Sequence, residues 1–89
     1  MTGVRVRMRI ADVQKGMRKV SVEGKIVNMN SYMLVVDDSS GTIFVRYSSR
    51  NLESEIEKGN TVRICDSQAV SYSGILELRM GHKGHIVRQ

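Results

Sequence analysis

Four groups of side chains in this sequence carry enough chemistry to define a function: Asp37 with Asp38, the histidines of "GHKGH" with Cys65, the pair Phe44 and Arg46, and the tyrosines Tyr32 and Tyr72. Adjacent carboxylates can hold a cation or exchange a proton, but neighbours at a strand end point apart and no third ligand follows them. In "VVDDSSGTIFVRY" they fit better as corner residues, because Asp and Ser side chains close turns by bonding to backbone amides a residue or two ahead. His82, His85 and Cys65 would supply three ligands to a metal that wants four, and the histidines read instead as surface groups of a terminal loop near Lys83. The sequence has no phosphate loop, no nucleophile and base at a recognisable spacing and no metal-ligand set, so neither catalysis nor a cofactor is expected.

Phe44 and Arg46 point to binding. Alternation along Thr42 to Tyr47 puts Ile43, Val45 and Tyr47 on one face and Phe44 and Arg46 on the other. With the first set in a core, the second offers a ring to stack on a nucleic-acid base, worth about 1–3 kcal/mol, beside a guanidinium for a phosphate. The opposite register would expose Ile43 and Val45 together and bury Arg46. Tyr32 and Tyr72 are further stacking platforms, or else rim tyrosines with an apolar body on the fold and a hydroxyl in water. Lys25, Arg63 and Arg79 alternate outward on their strands and, with Lys83, can track a phosphate backbone. The alternative for them is an ordinary solvated face, with Arg79 paired to Glu77 two positions away.

The elements that position these groups must fit in 89 residues, room for one domain and one modest core. The expected organisation is a basic arm or extra strand over residues 1–18 and a folded unit over 19–89; the start at Met1 leads us to expect an intact small protein. The net charge is +5, and residues 1–25 alone carry it. There Arg5, Arg7, Arg9, Lys15, Arg18, Lys19 and Lys25 face only Asp12 and Glu23, while the remainder balances, with Glu53, Glu55 and Glu57 as an acidic patch. Such a dipolar chain suits a polyanionic partner meeting one side. The alternation of Arg5, Arg7 and Arg9 with apolar residues makes a basic row that either lines a groove or protects an edge. No stretch resembles a signal peptide or approaches the roughly 20 apolar residues of a membrane span. A cytoplasmic, nucleoid-associated protein is expected, or a nuclear one in a eukaryote. The single cysteine, Cys65, cannot form an internal disulfide and reads as a small buried thiol.

Hydrophobic period and glycines give five strands. Val20 and Val22 open the first, which Gly24 interrupts as a bend that lets one strand serve two edges of a curved sheet. Tyr32 to Val36 and Thr42 to Tyr47 follow, joined by the acidic corner. Leu52 and Ile56 then share a helical face in "SRNLESEIEKGN", predicting one short helix closed by Gly59. "TVRICDSQAV" is a fourth strand with Val62 and Ile64 inward, Ser71 to Gly74 a turn, and "ILELRM" a fifth strand with Leu76, Leu78 and Met80 on one face.

That order is the all-β, five-stranded Greek-key barrel of the OB-fold, with a small helix between strands three and four. Nearly the whole chain resembles the single-stranded-DNA-binding OB domains of archaeal single-strand-binding proteins and the replication protein A family. The resemblance rests on "IADVQKGMRKVSVEGKIV", "DDSSGTIFVRY", "EKGNTVRI" and "SYSGILELRMGHKGHIV", which carry that family's I-x-D-x-x-x-G-M, D-x-x-G-T-I, G-x-x-V-R-I and Y-x-G-x-L-x-L patterns in order. It implies non-catalytic binding of single-stranded DNA with little sequence preference, in replication, recombination or repair. The outer face of strands two and three, with the loops joining strands one to two and four to five, would be the binding surface. The chain departs from the family in having Ser48 where a tryptophan often stands, so the resemblance implies modest affinity for one copy and a use for several copies or partner subunits. Two other readings follow from the same fold. One is a scaffold subunit of a genome-maintenance complex acting through an apolar patch around Met29, Met33, Leu34, Ile75, Leu52 and Ile56; the other is an RNA-binding module.

Overall fold

The computed structural model describes residues 8–89. Five strands form a closed barrel in the order β1-β2-β3-β5-β4. They are β1 (Val20–Met29), β2 (Met33–Asp37), β3 (Thr42–Arg46), β4 (Thr61–Tyr72) and β5 (Ile75–Arg88), with 3-10 turns at Ile10–Asp12 and Ser49–Asn51. The β3–β5 seam is parallel, and the other strand pairs are antiparallel. Period-two alternation turns Val20, Val22, Ile26, Leu34, Val36, Ile43, Val45, Val62, Ile64, Leu78 and Ile86 inward as one core. The predominance of β-branched residues suits a pleated, tightly filled barrel. Each such side chain contributes about 1.5–3 kcal/mol on leaving water.

Closure depends on β1. Val20 to Lys25 pair with β4, and Lys25 to Met29 pair with β2, so the strand changes partner at Lys25. A side chain at Gly24 would place its Cβ 2.7 Å from the Asp37 carbonyl oxygen and 2.7 Å from Val36 Cγ1. Only glycine lets β1 coil this close to β2. A bulge between Ile26 and Asn28 then turns the remainder of the strand.

The acidic corner is a clamp. Asp38 Oδ1 accepts from the Ser40 amide at 2.8 Å and the Ser40 hydroxyl at 2.6 Å, while Oδ2 accepts from the Ile10 amide at 2.9 Å. Ser40 Oγ accepts from the Ala11 amide at 3.0 Å, and Asp37 Oδ1 closes its own turn onto the Ser39 amide at 2.7 Å. The corner therefore ties the first 3-10 turn to the β2–β3 hairpin and seats Ile10 and Val13 in the core. Partial burial raises the Asp38 carboxyl, but hydrogen bonds from Ser40 and from the amides of Ile10, Ser40 and Gly41 outweigh it and hold the group below the ordinary aspartate value.

Several sequence expectations are corrected. The helix between β3 and β4 is only the 3-10 turn Ser49–Asn51. Leu52 makes a parallel bridge to Ile86, and the Glu53 amide donates to the Ile86 carbonyl at 3.1 Å, so pairing with β5 overrides a helix too short to stabilise itself. The fourth strand runs on to Tyr72, leaving Ser73-Gly74 as a two-residue turn with φ values of 53° and 79°, the left-handed pair of a type I′ hairpin. The "GHKGH" stretch is not a terminal loop: β5 continues to Arg88, and residues 81–84 bulge out opposite Asp66. Asn51, buried to 2% exposure, donates from Nδ2 to the Gly81 and Gly84 carbonyls, each at 2.9 Å, and so closes that bulge. Leu34 is fully buried and cannot join a surface patch, while Leu52 and Ile56 lie partly buried against the core. Arg5 and Arg7 fall outside the described residues. Arg9 is exposed, paired with Asp12 at 3.1 Å.

Candidate nucleic-acid interface

The outer side of β2, β3 and β5 is built from two rows of register partners. Met33, Arg46 and Arg79 form one, and Val35, Phe44 and Glu77 the other. Phe44 is 40% exposed while Ile43, Val45 and Tyr47 are buried, the facing that alternation predicts. The Tyr47 hydroxyl is held inside, donating to the Asn30 carbonyl at 2.7 Å.

The turn at Ser73-Gly74 folds Tyr72 and Ile75 over this face. Together with Met33, Phe44, Arg46 and Glu77 they line a groove of about 240 Å³. Val27, Tyr32, Phe44, Tyr72 and Ile75 are the large hydrophobic side chains left exposed among the described residues, and three of them meet in this groove. Two exposed rings thus border one slot with a guanidinium beside them, an arrangement that can hold a flat, unpaired base or an apolar side chain.

Glu77 is the central residue that the sequence reading treated only as a surface partner of Arg79. Its backbone position points outward, yet it is 3% exposed, because two arginines lie against it. Arg46 Nε sits 3.3 Å from both carboxylate oxygens, and Arg79 Nη2 is 3.5 Å from Oε2. The pairing with Arg79, two residues on, was readable. The link to Arg46 was not, since it needs the parallel β3–β5 register. The carboxylate orients both cations and leaves the cluster with a single net positive charge. Arg46 and Arg79 side chains remain 38% and 50% exposed, so each guanidinium keeps donors toward solvent.

The other sequence candidates lie apart from the groove. Tyr32 flanks the face from the β1–β2 loop, 55% exposed, its amide on Asn30 Oδ1 at 3.0 Å and its carbonyl accepting from the Tyr47 amide at 3.0 Å. Lys25 is exposed at the point where β1 changes partner, beside Asp37 and Thr61. Arg63 lies on the β1–β4 side at the far end of β4 from Tyr72, with Nε 3.8 Å from Glu23 Oε1 and no hydrogen-bond partner of its own at that atom. Lys83 is exposed on the β5 bulge. Nearby, Arg50 Nη1 is 3.3 Å from His82 Nδ1, and His85 Nδ1 is 3.3 Å from the Lys83 carbonyl. The described residues hold no group of three or more metal-ligating side chains.

No family model and no curated protein matches the chain. Its fold is that of OB domains, and solved structures spanning nearly all of it establish this. A replication factor A related protein from Methanobacterium thermoautotrophicum superimposes with a TM-score of 0.79 at 15% identity, covering 94% of this chain and 91% of that one. The OB domain of Ta0387 from Thermoplasma acidophilum gives a TM-score of 0.73 at 20% identity, covering 92% of this chain and 85% of that one. The p202 HIN1 structure, solved in complex with a 12-mer double-stranded DNA, gives 0.71 at 14% identity, covering 94% of this chain but 45% of that one.

Proposed function

We propose that this protein is a non-catalytic module that binds single-stranded DNA with little sequence preference, in replication, recombination or repair. The observation that carries the reading is the groove in which Phe44 and Tyr72 stand exposed beside Arg46. Stacking on two rings tolerates any base, and the arginine, oriented by Glu77, supplies a charge at a fixed place. The structural likeness to a replication factor A related protein and to a HIN domain solved with DNA supports a nucleic-acid partner.

A second reading, a scaffold subunit that contacts protein, is favoured by one feature. The groove walls are mostly apolar, from Met33, Phe44, Tyr72 and Ile75, and Glu77 offsets much of the charge of Arg46. Fluorescence anisotropy of a labelled oligo-thymidine, with duplex DNA and the matching RNA as competitors, separates these readings. The expected result is micromolar or tighter binding to the single strand, preferred over duplex and weakened by salt. Preference for the RNA competitor would move the assignment to RNA. An absence of binding at low salt would move it to the protein scaffold.

A further inference from the structure

We infer that the bound strand does not end at the groove but passes over Arg79 into a second, basic concavity, where Arg18 and Lys19 take its phosphates. This extension rests on the nucleic-acid reading above. The concavity, about 410 Å³, lies between the segment leading into β1 and the bulge of β4 and β5. Arg18, Lys19, Gln68, Arg79 and Asp66 are among its lining residues.

Arg79 joins the two sites. Its guanidinium is 3.5 Å from Glu77, which lines the first groove, while the same side chain borders the second concavity. The division of chemistry is complementary. The first groove offers rings and methyl groups with most of its charge offset, whereas three cations face one carboxylate among the described residues lining the second. A single strand needs both kinds of surface, a stacking platform for bases and a positive track for its backbone.

The second site is also held rigidly. Lys19 and Asp66, both lining it, have φ values of 54° and 58°, a left-handed conformation uncommon for residues other than glycine. The segment is fixed on both sides of Lys19. The Gly16 amide donates to the Ala69 carbonyl at 2.9 Å and the Ala69 amide to the Met17 carbonyl at 2.9 Å, while Ser67 Oγ donates to the Val20 carbonyl at 2.8 Å. Strain of this kind persists only where the surroundings impose it, and the exposed Arg18 and Lys19 border both this concavity and a neighbouring one lined by Arg9 and Asp12.

The test compares wild type with the double variant Arg18→Gln/Lys19→Asn on oligo-thymidines of about four and about twelve nucleotides, near the short and long ends of OB-fold site sizes. Asparagine tolerates the left-handed backbone at position 19. The expected result is roughly a tenfold loss on the long strand, with the logarithmic salt slope shallower by about 1.4 for two phosphates, and unchanged binding of the short strand. Lys58→Gln/Arg88→Gln removes the same charge from exposed positions outside both concavities and is expected to leave both affinities within about twofold. Three outcomes would overturn the extension while leaving the first groove intact: unchanged long-strand binding in the double variant, equal loss at both lengths, or equal loss in the control variant. Failure of wild type to bind either strand would instead remove the nucleic-acid reading, and this extension with it.

Discussion

Two residues show how a side chain's role follows from what it touches. Phe44 is exposed because strand alternation leaves no room for it inside, and its ring has Arg46 and Tyr72 as groove neighbours. Phe44→Ala is expected to weaken single-strand binding about tenfold, one stacking interaction, while thermal denaturation stays close to wild type because no core contact is lost. Unchanged affinity in the anisotropy assay would discard this face as the binding surface. Asp38 is the opposite case, an acid whose work is structural. Its folded pKa lies below that of the unfolded chain, near 3.9, so its stabilisation is fully present above that value and is lost as pH falls through the lower, folded one. Urea denaturation of wild type and Asp38→Asn should therefore differ most above about pH 4 and converge in stronger acid. A constant difference down to the lowest pH would mean that the clamp does not depend on the charge.

At the scale of elements, Gly24 is the point on which closure turns. An added Cβ would meet a backbone carbonyl at 2.7 Å, and backbone cannot rotate away as a flexible side chain can. Gly24→Ala should cost about 3 kcal/mol by overpacking, read as a lower urea midpoint, whereas Gly59→Ala meets no atom within 4 Å and suffers only from its positive φ of 99°. The strands through Val70, with Gly24 as the bend, were legible in the sequence because each rests on two-residue alternation, a local signal. The helix around Leu52 was misread for an equally local reason. A pair four apart fits a helical face, but the bridge to Ile86 is tertiary and invisible to a short window. The second half of β5 hid for a related reason, since the 81–84 bulge interrupts alternation and is held by Asn51 from a distant turn. The candidate groove divides the same way: Phe44, Arg46 and Tyr72, which line it, were each singled out from sequence as binding candidates, while the Glu77 to Arg46 link waited on strand order.

Across the whole molecule, charge is unevenly distributed along the sequence. The N-terminal quarter carries the net +5, and the acidic residues Glu53, Glu55 and Glu57 lie exposed between β3 and β4. A strand drawn by this field should release a few counterions, giving a slope of log affinity against log salt near −2 to −3 at about 0.7 per phosphate. Anisotropy titrations over a range of salt read this directly. A slope near zero would assign the groove to an apolar partner.

The parallel seam between β3 and β5 has a consequence for how the molecule comes into being. The β1–β2–β3 meander can form from neighbouring sequence, but its inner face stays open until β4 brings Val62 and Ile64 and the last strand brings Leu78 and Ile86. Closure thus rests on pairings between distant parts of the chain, the kind that slows folding into the millisecond-to-second range. Until then, the same valines that later fill the barrel stand open to water and to one another's copies, so the interval before closure is when this protein is most exposed to aggregation.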